Sequence, residues 1–178
     1  GSESLTNPSS GSASSVVSAG VVVGFSAGGH LVANLANFWH NLPVSEANGK
    51  KLDAKPNATI LGYPVIMPPT HAGSFINLTG IEDISDPRVQ ALSLEKSVTE
   101  LNPPCFIWTT AADNAVNPDA TIQYTIALKK AGVRYETHIF ADGWHGIATA
   151  EERTNPDGTD FPARVWFDLA DTFLHTVK

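Results

Sequence analysis

The sequence predicts an α/β fold: a mostly parallel sheet of about four strands with helices on both faces. Three observations carry that expectation. Three short apolar stretches, Val21–Val23, Ala58–Val65 and Cys105–Thr110, and the alternating stretch Tyr135–Phe140 have strand character. Segments with helical spacing or helical start and stop signals alternate with them, a rhythm that places parallel strands side by side through right-handed crossovers. The first stretch runs directly into Gly24-Phe25-Ser26-Ala27-Gly28, a Gly-x-Ser-x-Gly turn that opens a helix.

In chain order, residues 1–15 are serine-rich, contain Pro8 and Gly11, and lack periodicity, so they read as a tail or linker with Gly1-Ser2 as a cloning scar. Residues 16–178 read as a single domain. Val21–Val23 has the continuous apolar character of a strand buried on both faces, and Leu31, Leu35 and Phe38 recur at helical spacing after the turn. Gly24 and Gly28 read as positions where the tight turn leaves no room for a side chain. Residues 41–57 are polar and hold Pro43, Gly49 and Pro56, which predicts a surface loop before the strand at Ala58–Val65. Residues 67–103 are a long irregular excursion of the kind that builds a lid or a substrate pocket, or simply connects two elements. After the strand at Cys105–Thr110, Asn117-Pro118 starts a helix running to Ala131, with Gly132 just past its end. Tyr135–Phe140 is the fourth strand, and Pro162 starts a last helix with Trp166, Leu169 and Phe173 on one face.

At 178 residues with 42% hydrophobic and 16% charged side chains, the chain can bury a core without disulfide or metal support. A net charge of −7 disfavours nucleic acid and anionic membrane as partners. The single Cys105 rules out an intrachain disulfide and reads as a small buried hydrophobe. No apolar run is long enough to span a bilayer and no basic-then-apolar leader opens the sequence, which favours the cytoplasm; with Gly1-Ser2 read as a cloning scar, a native leader could have been removed, and localisation stays open between cytoplasm and secretion. The six histidines show no metal-ligand spacing, so neither metal nor cofactor is expected.

A serine hydroxyl needs a base to take its proton and a carboxylate to fix that base in the right tautomer. The third strand runs into Asp113-Asn114 and the fourth into Asp142-Gly143-Trp144-His145-Gly146. Strand ends of a parallel sheet share one edge, so Ser26, Asp113 and His145 are expected to meet there. Each partner alone has a plainer reading: Asp113 as a turn or cap residue, His145 as a loop residue. Asp119 competes with Asp113 but lies in the first turn of a helix, where carboxylates serve the helix dipole. The order Ser, Asp, His along the chain separates this pattern from other serine-hydrolase arrangements.

Gly24 to Leu31, Ser93-Leu94-Glu95, Pro103 to Thr109, Ala127 to Val133 and Phe140 to Gly146 together resemble the α/β-hydrolase superfamily, and within it bacterial acetyl-xylan and related carbohydrate esterases. The resemblance runs from about residue 20 to the C-terminus. It implies a partial α/β-hydrolase fold, with Ser26 as nucleophile, His145 as general base, Asp113 as orienting acid and the Ala27 N–H as an oxyanion donor. Phe25 and Trp144 would line the acyl or sugar site, and His30 would be a packing group. The family's sheet has about four strands before the elbow, together with a His-Gly-Gly type loop that gives a second oxyanion donor; this sequence has almost no room for them. Loss of one such donor costs about 3 kcal/mol of transition-state stabilisation. The valine strand would then be an open apolar edge, expected to pair with another copy or a separate N-terminal fragment, or to be covered by Val16–Gly20 and the tail. The expected activity is hydrolysis of acetyl or other short acyl esters of a small-molecule or carbohydrate alcohol. The alternatives are a non-catalytic remnant serving as a binding or assembly module, and a peptidase or amidase of the same superfamily.

Overall fold

A computed structural model describes residues 20–47, 50–151, 155 and 158–177. The serine-rich tail and residues 16–19 of the covering segment lie outside these. Four parallel strands form the main sheet in the order β1-β4-β5-β6: β1 is Val21–Phe25, β4 Ala58–Gly62, β5 Cys105–Thr110 and β6 Tyr135–Phe140. The polar stretch expected as a loop carries instead a small antiparallel hairpin, β2 (Ser45–Ala47) and β3 (Lys50–Leu52).

Alternation along the central strands divides the core into two layers. Leu61, Cys105 and Ile107 face one cluster, together with Val32 and Ala33 of α1 (Ala27–Phe38) and Ala120, Tyr124 and Leu128 of α4 (Asp119–Lys130). Ile60, Phe106 and Trp108 face the other, with Trp166, Ala170 and Phe173 of α5 (Trp166–Thr176). The final helix thus begins as one 3₁₀ turn at Pro162–Val165 and becomes α-helical at Trp166. Asn117 Oδ1 accepts from the Asp119 N–H at 2.9 Å, which starts α4, and Gly132 at φ 71° closes it.

Packing explains three departures from the simple sequence pattern. The valine strand is not buried on both faces, because β1 is the sheet edge and α5 lies over β5; Val21 and Val23 are 41% and 46% exposed. The inward face of α1 is Val32, Ala33, Ala36 and Asn37, while Leu31 is 71% exposed. The second strand stops at Gly62, since Tyr63 turns to φ 36°.

The 67–103 excursion contains α2 (Ala72–Thr79), α3 (Pro87–Gln90) and two 3₁₀ turns. A buried polar knot ties it to the elbow helix. Asn37 Nδ2 donates to the Leu94 carbonyl at 2.8 Å, and Asn37 Oδ1 accepts from Asn102 Nδ2 at 2.6 Å and from the Tyr124 hydroxyl at 2.8 Å. With all these groups paired, the desolvation cost of an interior amide is offset.

Candidate active site

Ser26 sits between β1 and α1 at φ 51°, ψ −122°, a strained backbone for a residue with a side chain. Hydrogen bonds hold it there: its N–H donates to the Gly62 carbonyl at 3.0 Å, and its carbonyl accepts from the N–H groups of Gly29 at 3.0 Å and Val65 at 3.1 Å. A Cβ on Gly24 would stand 2.4 Å from the Gly28 carbonyl oxygen, so glycine is required there. At Gly28 nothing lies within 4 Å of such a Cβ, which corrects the expected pair of glycines; the second crowded position is Gly29, 2.7 Å from the Pro64 ring.

The Ser26 hydroxyl donates to His145 Nε2 at 2.7 Å, and His145 Nδ1 donates to Asp113 Oδ2 at 2.8 Å. The other carboxylate oxygen of Asp113 accepts from the N–H groups of Ala115 and Val116, each at 2.9 Å. Burial of this carboxyl would raise its pKa, but the bonds from His145, Ala115 and Val116 outweigh that and hold it below the ordinary carboxylate range. An ionised Asp113 fixes the proton of the neutral imidazole on Nδ1 and leaves the Nε2 lone pair facing Ser26. The three side chains come from the turn after β1 and the loops after β5 and β6, at one edge of the sheet. Such an arrangement removes a proton from a hydroxyl while the positive charge formed on the imidazole meets a fixed anion.

The His145 loop is braced on several sides. The His145 N–H donates to Asn114 Oδ1 at 3.3 Å, the Thr110 hydroxyl donates to the Gly143 carbonyl, and Trp166 Nε1 donates to the Ala148 carbonyl at 3.0 Å. Tyr63 was not singled out in the sequence, although its ring stands against His145 and its hydroxyl accepts from the Ala148 N–H at 3.0 Å. The residue pattern hides it, because the apolar run Ala58–Val65 continues through Tyr63 and masks the strand end at Gly62.

Ala27 is exposed at the first position of α1, where an N–H has no intrahelical acceptor. Phe25 is half-buried between Tyr63 and Trp166, with ring centroids at 5.6 and 5.7 Å. Trp144, also half-buried, meets Phe161 edge-on at 4.7 Å. His30 Nδ1 donates to the Val65 carbonyl at 3.0 Å and its ring meets Phe75 edge-on; burial lowers its pKa against the opposing effect of that bond. Asp119 is exposed at the start of α4. Cys105 lies in β5, and burial pushes its thiol up to about 12 against a smaller lowering by a hydrogen bond with Thr59. Among the described residues no three His, Cys, Asp or Glu side chains cluster to hold a metal.

Over 134 residues the chain is 33% identical to endo-1,4-beta-xylanase B of Butyrivibrio fibrisolvens, covering 74% of this chain and 21% of that protein. It is 34% identical over 134 residues to an acetylxylan esterase of Xylanibacter ruminicola, covering 71% and 25%. The structure superposes on an acetyl ester-xyloside bifunctional hydrolase from Caldicellulosiruptor lactoaceticus with a TM-score of 0.73 and 30% identity, covering 87% of this chain and 55% of that one. The chain therefore spans a quarter or less of the curated relatives' length and about half of the solved relative's. No family model matches it.

Proposed function

We propose, on the premise that this chain belongs to the α/β-hydrolase superfamily and carries part of its fold, that it is a serine esterase releasing acetyl and other short acyl groups from a carbohydrate alcohol. The observation that carries the reading is the continuous relay from Ser26 Oγ through His145 to Asp113, with bonds of 2.7 and 2.8 Å. The relatives support the chemical class: an acetylxylan esterase and an acetyl ester-xyloside hydrolase are among them.

Ser26 Oγ adds to the ester carbonyl carbon as its proton passes to His145 Nε2. The carbonyl oxygen takes the negative charge and accepts from the Ala27 N–H. Collapse breaks the bond to the alcohol oxygen, which receives the proton from His145, and leaves an acyl-serine. Water then adds to that carbonyl, giving its proton to His145; the second collapse releases the carboxylic acid and returns the proton to Ser26. Asp113 stays ionised throughout and holds the imidazole. No cofactor enters this sequence. Trp144, beside His145 in the chain, flanks the sugar on the leaving-group side, and Phe25 fixes the elbow against Tyr63 and Trp166.

Hydrolysis of p-nitrophenyl acetate by the parent and by Ser26→Ala tests the reading. A fall of about a thousandfold or more in the variant is expected. Equal rates would reject Ser26 as nucleophile, and no turnover in either protein would favour a binding or assembly module.

A further inference from the structure

A mostly apolar cavity of about 600 Å³ adjoins the elbow. Its walls include Ala27, His30 and Leu31 of α1, Val65, and Phe75 and Leu78 of α2. Several of them are joined to the nucleophile directly. Ala27 follows Ser26 in the chain, and the backbone N–H groups of Val65 and His30 donate to the Ser26 carbonyl at 3.1 and 3.3 Å. No residue of the loops that carry Asp113 and His145 contributes to the lining. Phe75 is buried at the inner wall, whereas Leu31 and Leu78, 71% and 64% exposed, stand at the rim.

We propose that this cavity takes the acyl side of the ester, and that the preferred acyl group is an apolar chain longer than acetyl. The inference rests on the reading of Ser26 as nucleophile and follows from the geometry of a tetrahedral carbon on its Oγ. Of the three other substituents, the leaving oxygen lies toward His145 Nε2, which must protonate it, and the oxyanion lies toward the Ala27 N–H. The remaining substituent, the acyl chain, then points away from His145, and the cavity assigned to it is the one walled by Ala27, the residue after Ser26, and by Val65 and His30, whose N–H groups hold the Ser26 carbonyl. A methyl group fills little of 600 Å³, a volume within the usual range for ligand pockets. Leucine, valine and phenylalanine walls reward each added methylene by removing it from water. His30, neutral and bonded to the Val65 carbonyl, adds a ring edge to the wall and no charge.

Alkylboronic acids test this without requiring turnover. The Ser26 oxygen adds to the empty orbital of boron as its proton moves to His145, giving a tetrahedral anion with the alkyl group in the acyl position. Titration calorimetry of the full chain with methylboronic and n-pentylboronic acids, repeated with Leu31→Glu, Leu78→Glu and Ser26→Ala, gives the ratio of affinities. The expected result is at least tenfold tighter binding of the pentyl compound, a ratio reduced below threefold by either glutamate, and loss of both compounds in Ser26→Ala. Because both leucines are exposed, the glutamates do not threaten folding. Equal affinities in the parent, or a preference that both glutamate variants retain, would overturn the cavity assignment while leaving Ser26 as nucleophile. Binding that survives Ser26→Ala, or no binding in the parent, would overturn the underlying reading and this inference with it.

Discussion

The ring of Tyr63 stands edge-on to the imidazole of His145, with centroids 4.9 Å apart and planes at 72°. Tyr63 holds this position at φ 36°, where a bulky side chain is strained, because its N–H donates to the Trp108 carbonyl at 2.6 Å and its ring also meets Trp108 edge-on. Its hydroxyl accepts from the Ala148 N–H at 3.0 Å, so one side chain braces both the imidazole and the backbone three residues beyond it. Burial raises the Tyr63 pKa above its ordinary value, with the bond from Ala148 opposing, so the group stays a neutral phenol.

Tyr63→Phe keeps the ring and removes the acceptor for the Ala148 N–H. It is expected to lower stability by about 1–2 kcal/mol, the usual cost of an unpaired half-buried donor. Tyr63→Ala also removes the ring and costs about 3–5 kcal/mol. Urea unfolding of the three proteins measures this; equal stability of parent and Tyr63→Phe would show that the hydroxyl contributes nothing.

The elbow glycines separate in the same kind of experiment. Gly24→Ala forces a methyl to 2.4 Å from a backbone oxygen and is expected to prevent folding or cost several kcal/mol. Gly28→Ala finds open space within α1 and is expected to be neutral or to stabilise by up to about 1 kcal/mol, the ordinary helix preference for alanine. Comparable destabilisation by both substitutions would contradict the observed turn.

These glycines also show what the sequence makes legible. The strand rhythm, the turn at Ser26 and the strand-end places of Asp113 and His145 are local patterns, so composition and spacing reveal them. A steric requirement depends on what lies opposite. Gly29 is crowded by Pro64, which is distant in sequence, whereas Gly28 faces nothing. The Ala58–Val65 run stays apolar past the point where Tyr63 leaves the strand, because Val65 and Ile66 turn into the core of the excursion, and hydrophobicity alone does not register that bend. Leu31 has helical spacing with Leu35 and Phe38 yet is exposed, because its side of α1 faces a cavity.

Acid should destabilise the fold in part through Asp113 and His30. Asp113 has a folded pKa below its unfolded value, so its contribution is present above about pH 4 and is lost as pH falls through the folded value. His30 has a folded pKa below the unfolded 6.5, so its contribution is present above about pH 6.5 and declines as pH falls below it. Asp113→Asn should therefore be less stable than the parent at pH 7, with the difference shrinking below about pH 4. A difference that is constant from pH 7 to pH 3 would contradict the lowered pKa.

Cys105 is 1% exposed with its thiol pushed up to about 12, so it should be unreactive toward a thiol-specific disulfide reagent at pH 8. One equivalent should react once the protein is unfolded in denaturant. Rapid stoichiometric reaction of the folded protein would place the thiol outside the core.

Mass spectrometry after brief exposure to an alkyl fluorophosphonate tests the central claim most directly, because that reagent marks a hydroxyl activated by a neighbouring base. The expected result is one adduct on the peptide bearing Ser26 in the parent protein, and none in His145→Ala under the same conditions. Labelling of other serines instead, or equal labelling of Ser26 when the imidazole is gone, would contradict the claim that His145 activates this hydroxyl.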